Sequence, residues 1–171
     1  MHAKKITVLN FNYDNYRLYL FSVLFALGNV LLPIMCHTSN FAGNIFLPIY
    51  FFTLIGAYKF GWKTGVFVAI LSPLFNLWIT GMPTIAMIPV VLAKGLLIVL
   101  GAFVIAHFTK KFSLAHLIVL VASYQLCGAI FEALWFMSIS SALSSLIIAW
   151  PGMVLQVILG YAVIEGIKDY A

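Results

Sequence analysis

The chain has 171 residues, of which 64% are hydrophobic and only 8% charged, with a net charge of +5. Soluble domains carry about 25% charged residues, so this composition excludes a soluble globular protein and indicates an integral membrane one. At about 20 residues per crossing, the length accommodates five or six helices and no separate soluble domain.

In chain order, Met1 to Tyr16 is polar and aromatic. The lack of a small-residue cleavage site after the first apolar run predicts no cleaved signal peptide. Span 1 is expected over 18–35, after Arg17, and ends in a polar loop beginning Cys36-His37-Thr38-Ser39-Asn40, with Gly43 and Asn44 beyond it. Span 2, over 45–58, is short and broken near its start by Pro48, and such segments often line a cavity instead of facing lipid. Lys59-Phe60-Gly61-Trp62-Lys63 forms the turn into span 3, over 65–79, which contains Pro73. The Gly81-Met82-Pro83 turn then leads to span 4, over 85–108, with Pro89 in its first turns. Span 5, over 114–137, follows Lys110-Lys111, and a serine-rich connection over 138–145 separates it from span 6, over 146–167. Trp78 and Trp150 fall near outer span ends, where tryptophan marks the membrane interface. No linker or repeat divides the series, so residues 1–171 read as a single membrane domain.

The basic residues sort by side. Lys4, Lys5 and Arg17 precede span 1, Lys59 and Lys63 join spans 2 and 3, Lys110 and Lys111 join spans 4 and 5, and Lys168 follows span 6. Cytoplasmic loops carry the excess of Lys and Arg, which predicts an all-α integral membrane protein of six transmembrane helices with both termini cytoplasmic. Lys94 is the one basic residue left over, and it lies within span 4. A lysine inside an apolar span is costly in lipid and normally faces a cavity or a partner, so it marks a functional site by default.

Glu132, in the outer part of span 5, is the natural counter-charge. Gln125, Gly128, Glu132 and Trp135 recur at spacings of three and four and share one helix face. Ser72 and Asn76 on span 3, and Gly152, Gln156 and Gly160 on span 6, follow the same rule. With Asn29 on span 1, these residues define the expected site: Lys94, Glu132, Asn76, Trp135, Gln125, Gln156 and Asn29. Lys94 and Glu132 either pair with each other or receive a ligand, Lys94 taking a carboxylate or phosphate and Glu132 a hydroxyl, amine or amide. Trp135 would stack on a ring. Asn29, Gln125 and Gln156 serve the site or act as interhelical hydrogen-bond glue.

Cys36 and Cys127 lie in different segments without metal or redox spacing and read as small packing residues. His107 and His116 flank the Lys110-Lys111 turn and read as solvated, while His37 falls in the loop after span 1. There is no HExxH, GxSxG or Walker A motif and no catalytic pair of carboxylates. The sequence therefore predicts no enzyme, no cofactor, no metal site and no nucleic-acid partner.

The run Leu47-Pro48-Ile49-Tyr50-Phe51, then Gly61, Gly65, Ser72-Pro73-Leu74-Phe75-Asn76, Gly81-Met82-Pro83 and Pro89, resembles the substrate-binding S components of energy-coupling factor (ECF) vitamin transporters. The resemblance implies a six-helix bundle in a bacterial or archaeal cytoplasmic membrane that captures a vitamin or related micronutrient from outside, gated by the loop after span 1. It implies partners as well, a transmembrane coupling subunit and two ATPase subunits. Family members present a small-xxx-small pattern on the first helix to the coupling subunit, and Ser22 and Ala26 match it here, with Ser where the family favours Ala. A structural membrane protein of the cell-shape complexes is the competing expectation, since it has similar length and span number and needs no polar cavity.

Overall fold

The computed structural model describes residues 8–38 (backbone only for 35–38), 50–109 and 113–167. These residues form α1 (Tyr16–Thr38), α2 (Phe51–Phe60), α3 (Trp62–Thr80), a 3-10 turn (Ile85–Met87), α4 (Ile88–Phe108), α5 (Leu114–Phe136) and α6 (Ile139–Gly166), with no strand among them. Five segments, all but α2, are apolar over 19 to 28 residues. At 1.5 Å per residue that is about 28 to 42 Å, enough to cross a hydrocarbon core of about 30 Å. The chain is thus a multi-pass helical membrane bundle.

The short helix is central. Ten residues make α2 about 15 Å long, half a crossing. It packs against α1, α3, α4 and α6, while α1 and α3, α3 and α4, α4 and α5, and α5 and α6 pack in succession around it. Every residue of α2 from Thr53 to Lys59 is buried. A helix surrounded on all sides needs no amphipathic pattern, and α2 is apolar all round except where a polar partner waits.

Span 2 was expected over 45–58. The observed helix runs to Phe60, and residues 45–49, with Pro48, lie outside the described part, as do most of the loop after span 1 and Lys4, Lys5, Lys110, Lys111 and Lys168. Lys59, expected in a loop, belongs to the last turn of α2 and is only 1% exposed. Its backbone carbonyl accepts the Leu9 N–H at 2.8 Å. The segment from Val8 to Asn15 folds across the α2–α3 junction, with Phe11 against Phe21 and Phe60 and Lys63 donating to Asn12 Oδ1 at 3.4 Å. At the junction Gly61 has φ +92°, a backbone state costly for residues bearing a Cβ. A Cβ there would also come within 2.9 Å of Asn10 Oδ1. Arg17, Lys59 and Lys63 consequently share one end of the bundle.

At the opposite end Gly81 closes α3 in the left-handed conformation and leads into the expected hairpin. The larger departure is α6. The serine-rich stretch is its first two turns: Ser138 caps the helix by accepting the Ser141 N–H, and Ser144 donates to the Ser140 carbonyl at 2.8 Å. Serine at an N-cap stabilises a helix start, so a run that reads as a polar connection becomes helical. Trp150 accordingly lies about 17 Å into α6 and faces outward, away from the helix end where the sequence placed it. Trp78 remains within the last turn of α3, exposed.

Candidate functional site

The expected site residues resolve into two buried polar clusters, an ion pair and one rim residue. The first cluster holds the head of α2. The first backbone N–H groups of a helix have no intrahelical partners, and in an apolar interior each orphan is costly. Asn29 of α1 supplies one acceptor: its Oδ1 receives the Phe52 N–H at 2.9 Å. Its Nδ2 donates to Thr53 Oγ1 at 3.0 Å and to Ser72 Oγ at 2.9 Å. Asn76 donates to the Asn29 carbonyl at 3.2 Å and to the Ser72 carbonyl at 3.1 Å. Asn29 and Asn76 thus tie α1, α2 and α3 together, and both are buried.

The second cluster grips the same helix from the other side. Gln156 of α6 donates to the Tyr50 carbonyl at 3.4 Å, just ahead of α2, and its Oε1 accepts the Tyr124 hydroxyl at 2.6 Å. Gln125 donates to that hydroxyl oxygen at 3.4 Å. The Tyr50 and Tyr124 rings meet edge to face, 5.7 Å between centroids.

Toward the Ile88 end of α4 and the Phe136 end of α5 lies the ion pair. Lys94 Nζ and Glu132 Oε2 are 2.9 Å apart, with side-chain exposures of 11% and 1%. Ser145 of α6 donates to the other carboxylate oxygen, Oε1, at 2.6 Å. Three helices therefore converge on one carboxylate. Lys94 and Glu132 pair with each other here, one of the two alternatives the sequence left open, and Gly128, one turn below Glu132, makes room for the pair. A Cβ at Gly128 would collide with Lys94 Cγ.

Trp135 stands apart. It is 51% exposed, stacks on Phe131 at 6.0 Å, and donates its indole N–H to the Ala86 carbonyl at 3.2 Å. That bond fixes the end of α5 to the 3-10 turn before α4. Trp135 is a rim residue here.

Ser22 and Ala26 were expected to face a coupling subunit. They are 1% and 0% exposed, on the face of α1 turned toward the chain's own helices, where Ser22 donates to the Leu18 carbonyl. Gly28 nearby is filled by Phe52, whose ring a Cβ would approach to 2.6 Å. The outward face of α1 instead carries Leu20, Val23, Leu24, Leu27 and Leu31. Cys127, expected as a packing residue, is exposed, beside a groove of about 480 Å³ between α4 and α5 lined by Leu96, Leu100 and Phe131. His107 stacks on Phe103, and His116 lies against the Ser113 cap of α5.

Tyr50, Thr53, Tyr124 and Ser145 were absent from the expected set. A signal existed for Ser145: it continues the stripe of Gln156, Gly152 and Ala149 at helical spacing, once α6 is allowed to start early. No grouping of metal-ligand side chains occurs among the described residues. No family model matches the chain, and neither a curated protein nor a solved structure does.

Proposed function

We propose that the chain is the substrate-capturing subunit of an ECF-type transporter, taking a vitamin or related micronutrient from outside and relying on a separate coupling subunit and two ATPases for energy. In this reading the basic end of the bundle is cytoplasmic, α2 belongs to a sixth span, and both termini lie inside. One observation carries it: buried polar side chains of α1, α3, α5 and α6, with the partly buried Lys94 of α4, gather around and above the head of a half-length helix, at mid-depth and toward the end opposite the basic residues. Pure packing rarely places a lysine, a glutamate, two asparagines and two glutamines there, because each is costly in lipid. The exposed aliphatic face of α1 is then the surface offered to the coupling subunit, with Ser22 and Ala26 acting only within the bundle.

The test is a thermal-shift screen of a vitamin panel on the purified protein, because a ligand that binds only the folded state adds RT ln(1 + [L]/Kd) to its stability. A vitamin-dependent rise, with ATPase subunits co-purifying, is the expected result. No shift across the panel and no ATPase partner would sink the proposal.

A structural role, as in a cell-shape complex, is favoured by one fact: among the described residues every buried side-chain polar atom has a partner. On that reading Lys94→Ala and Glu132→Ala leave the cellular function intact.

A further inference from the structure

We infer that the Lys94–Glu132 pair selects a neutral ligand edge in which a hydrogen-bond acceptor and an N–H or O–H donor stand side by side, such as a primary amide, lactam or ureide, over a free carboxylate or phosphate. The inference rests on the uptake reading and specifies the chemistry of its ligand. A lysine alone in a cavity attracts an anion. Lys94 is not alone, for Glu132 holds it at 2.9 Å, and the nearest charges together sum to zero. An anion added there would make two negative groups against one positive in a low-dielectric setting, leaving a charge without its counterpart, and that is strongly unfavourable.

The remaining hydrogen-bond capacity points the same way. Glu132 Oε2 accepts from Lys94 and Oε1 accepts from Ser145 at 2.6 Å. An ammonium with one N–H so engaged keeps further donors, and a carboxylate holding two hydrogen bonds keeps further lone pairs. Lys94, 11% exposed, thus offers a donor, and Glu132 behind it, 1% exposed, an acceptor about one hydrogen bond further in, which a ligand edge reaches past the lysine. An amide edge, with its carbonyl oxygen and N–H on adjacent atoms, satisfies both without separating the ions. A carboxylate satisfies only Lys94 and opposes Glu132. Trp135, one turn beyond Glu132 and half-exposed, offers a flat apolar surface at the rim beside such an edge.

The experiment compares acid and primary-amide forms of each carboxylate-bearing compound in the vitamin panel, nicotinate against nicotinamide among them, on the detergent-purified wild type and on Glu132→Gln. Ring compounds that carry a lactam or ureide, riboflavin and biotin included, complete the panel. The wild type should bind the neutral donor–acceptor form about tenfold or more tightly than the acid, as for one hydrogen bond to a charged group. Glu132→Gln keeps an oxygen for Lys94 and turns its N–H2 to the Ser145 hydroxyl, which can accept it, but leaves the site cationic, so the preference should invert. An acid preferred by the wild type, or an amide-to-acid ratio unchanged in Glu132→Gln, overturns the inference while the uptake reading stands. If Glu132→Gln does not fold, as its melt without ligand reports, the wild-type ratio decides alone. Absence of binding by any panel member defeats the uptake reading and this inference with it.

Discussion

The stem of Lys94 lies directly across α5 at Gly128, so that a single methyl group there would collide with Lys94 Cγ and come within 2.8 Å of Cε. The ion pair one turn above depends on this approach. Replacing Gly128 by Ala forces the lysine stem away from the helix, and overpacking of this kind costs about 1–3 kcal/mol. In a Lys94→Ala background the three atoms nearest that methyl group are gone, so a double-mutant cycle on unfolding in detergent should show coupling above about 0.5 kcal/mol. Equal cost in both backgrounds would mean that Gly128 serves some other contact.

Removing one ion leaves the other stranded. Lys94→Met should destabilise the bundle by about 3–5 kcal/mol, since Glu132 is then buried and uncompensated. The double change Lys94→Met, Glu132→Met should cost less than Lys94→Met alone. A double variant less stable than either single one would show that the charges are net stabilising in the unliganded protein.

Asn29 allows its two ends to be separated. Asn29→Asp retains an acceptor for the Phe52 N–H and loses the donor to Thr53 and Ser72, whereas Asn29→Leu loses both. Each stranded polar group costs about 1–3 kcal/mol and an uncompensated buried carboxyl costs more, so both variants should lower the melting temperature, Asp through its buried carboxyl and Leu through the lost acceptor. Hydrogen exchange at Phe52 should rise only in the Leu variant.

Tyr124→Phe removes the hydroxyl that Gln156 accepts at 2.6 Å. Side-chain hydrogen bonds between membrane helices average about 0.6 kcal/mol, so the loss in stability should be small and the fold retained. A loss several times larger would identify this cluster as the main fastening of α6 to the head of α2.

The two faces of α1 make opposite predictions for assembly. Leu24→Trp and Leu27→Trp alter exposed positions and, on the uptake reading proposed above, should reduce co-purification of a coupling subunit while leaving the unfolding free energy within about 0.5 kcal/mol of wild type. Ser22→Leu enlarges a buried side chain and should act on folding first. The reverse pattern would restore Ser22 and Ala26 to the coupling interface.

Membrane character, the order of the helices and the end at which Arg17, Lys59 and Lys63 gather were legible in the chain itself, and the pairing of Lys94 with Glu132 was legible as one of two alternatives. They follow from local rules: apolar run length matches bilayer thickness, and one intramembrane cation needs one anion. What the chain could not display is which polar groups meet across helices. That Asn29 satisfies the Phe52 N–H, that Ser145 completes the Glu132 carboxylate, and that Ser22 and Ala26 turn inward are decided by how the helices rotate and approach. Helix spacing assigns a residue to a face but leaves open what that face meets. In a bundle nearly uniform in hydrophobicity, that choice falls to close packing and to the pairing of the few polar groups, which only the tertiary structure sets.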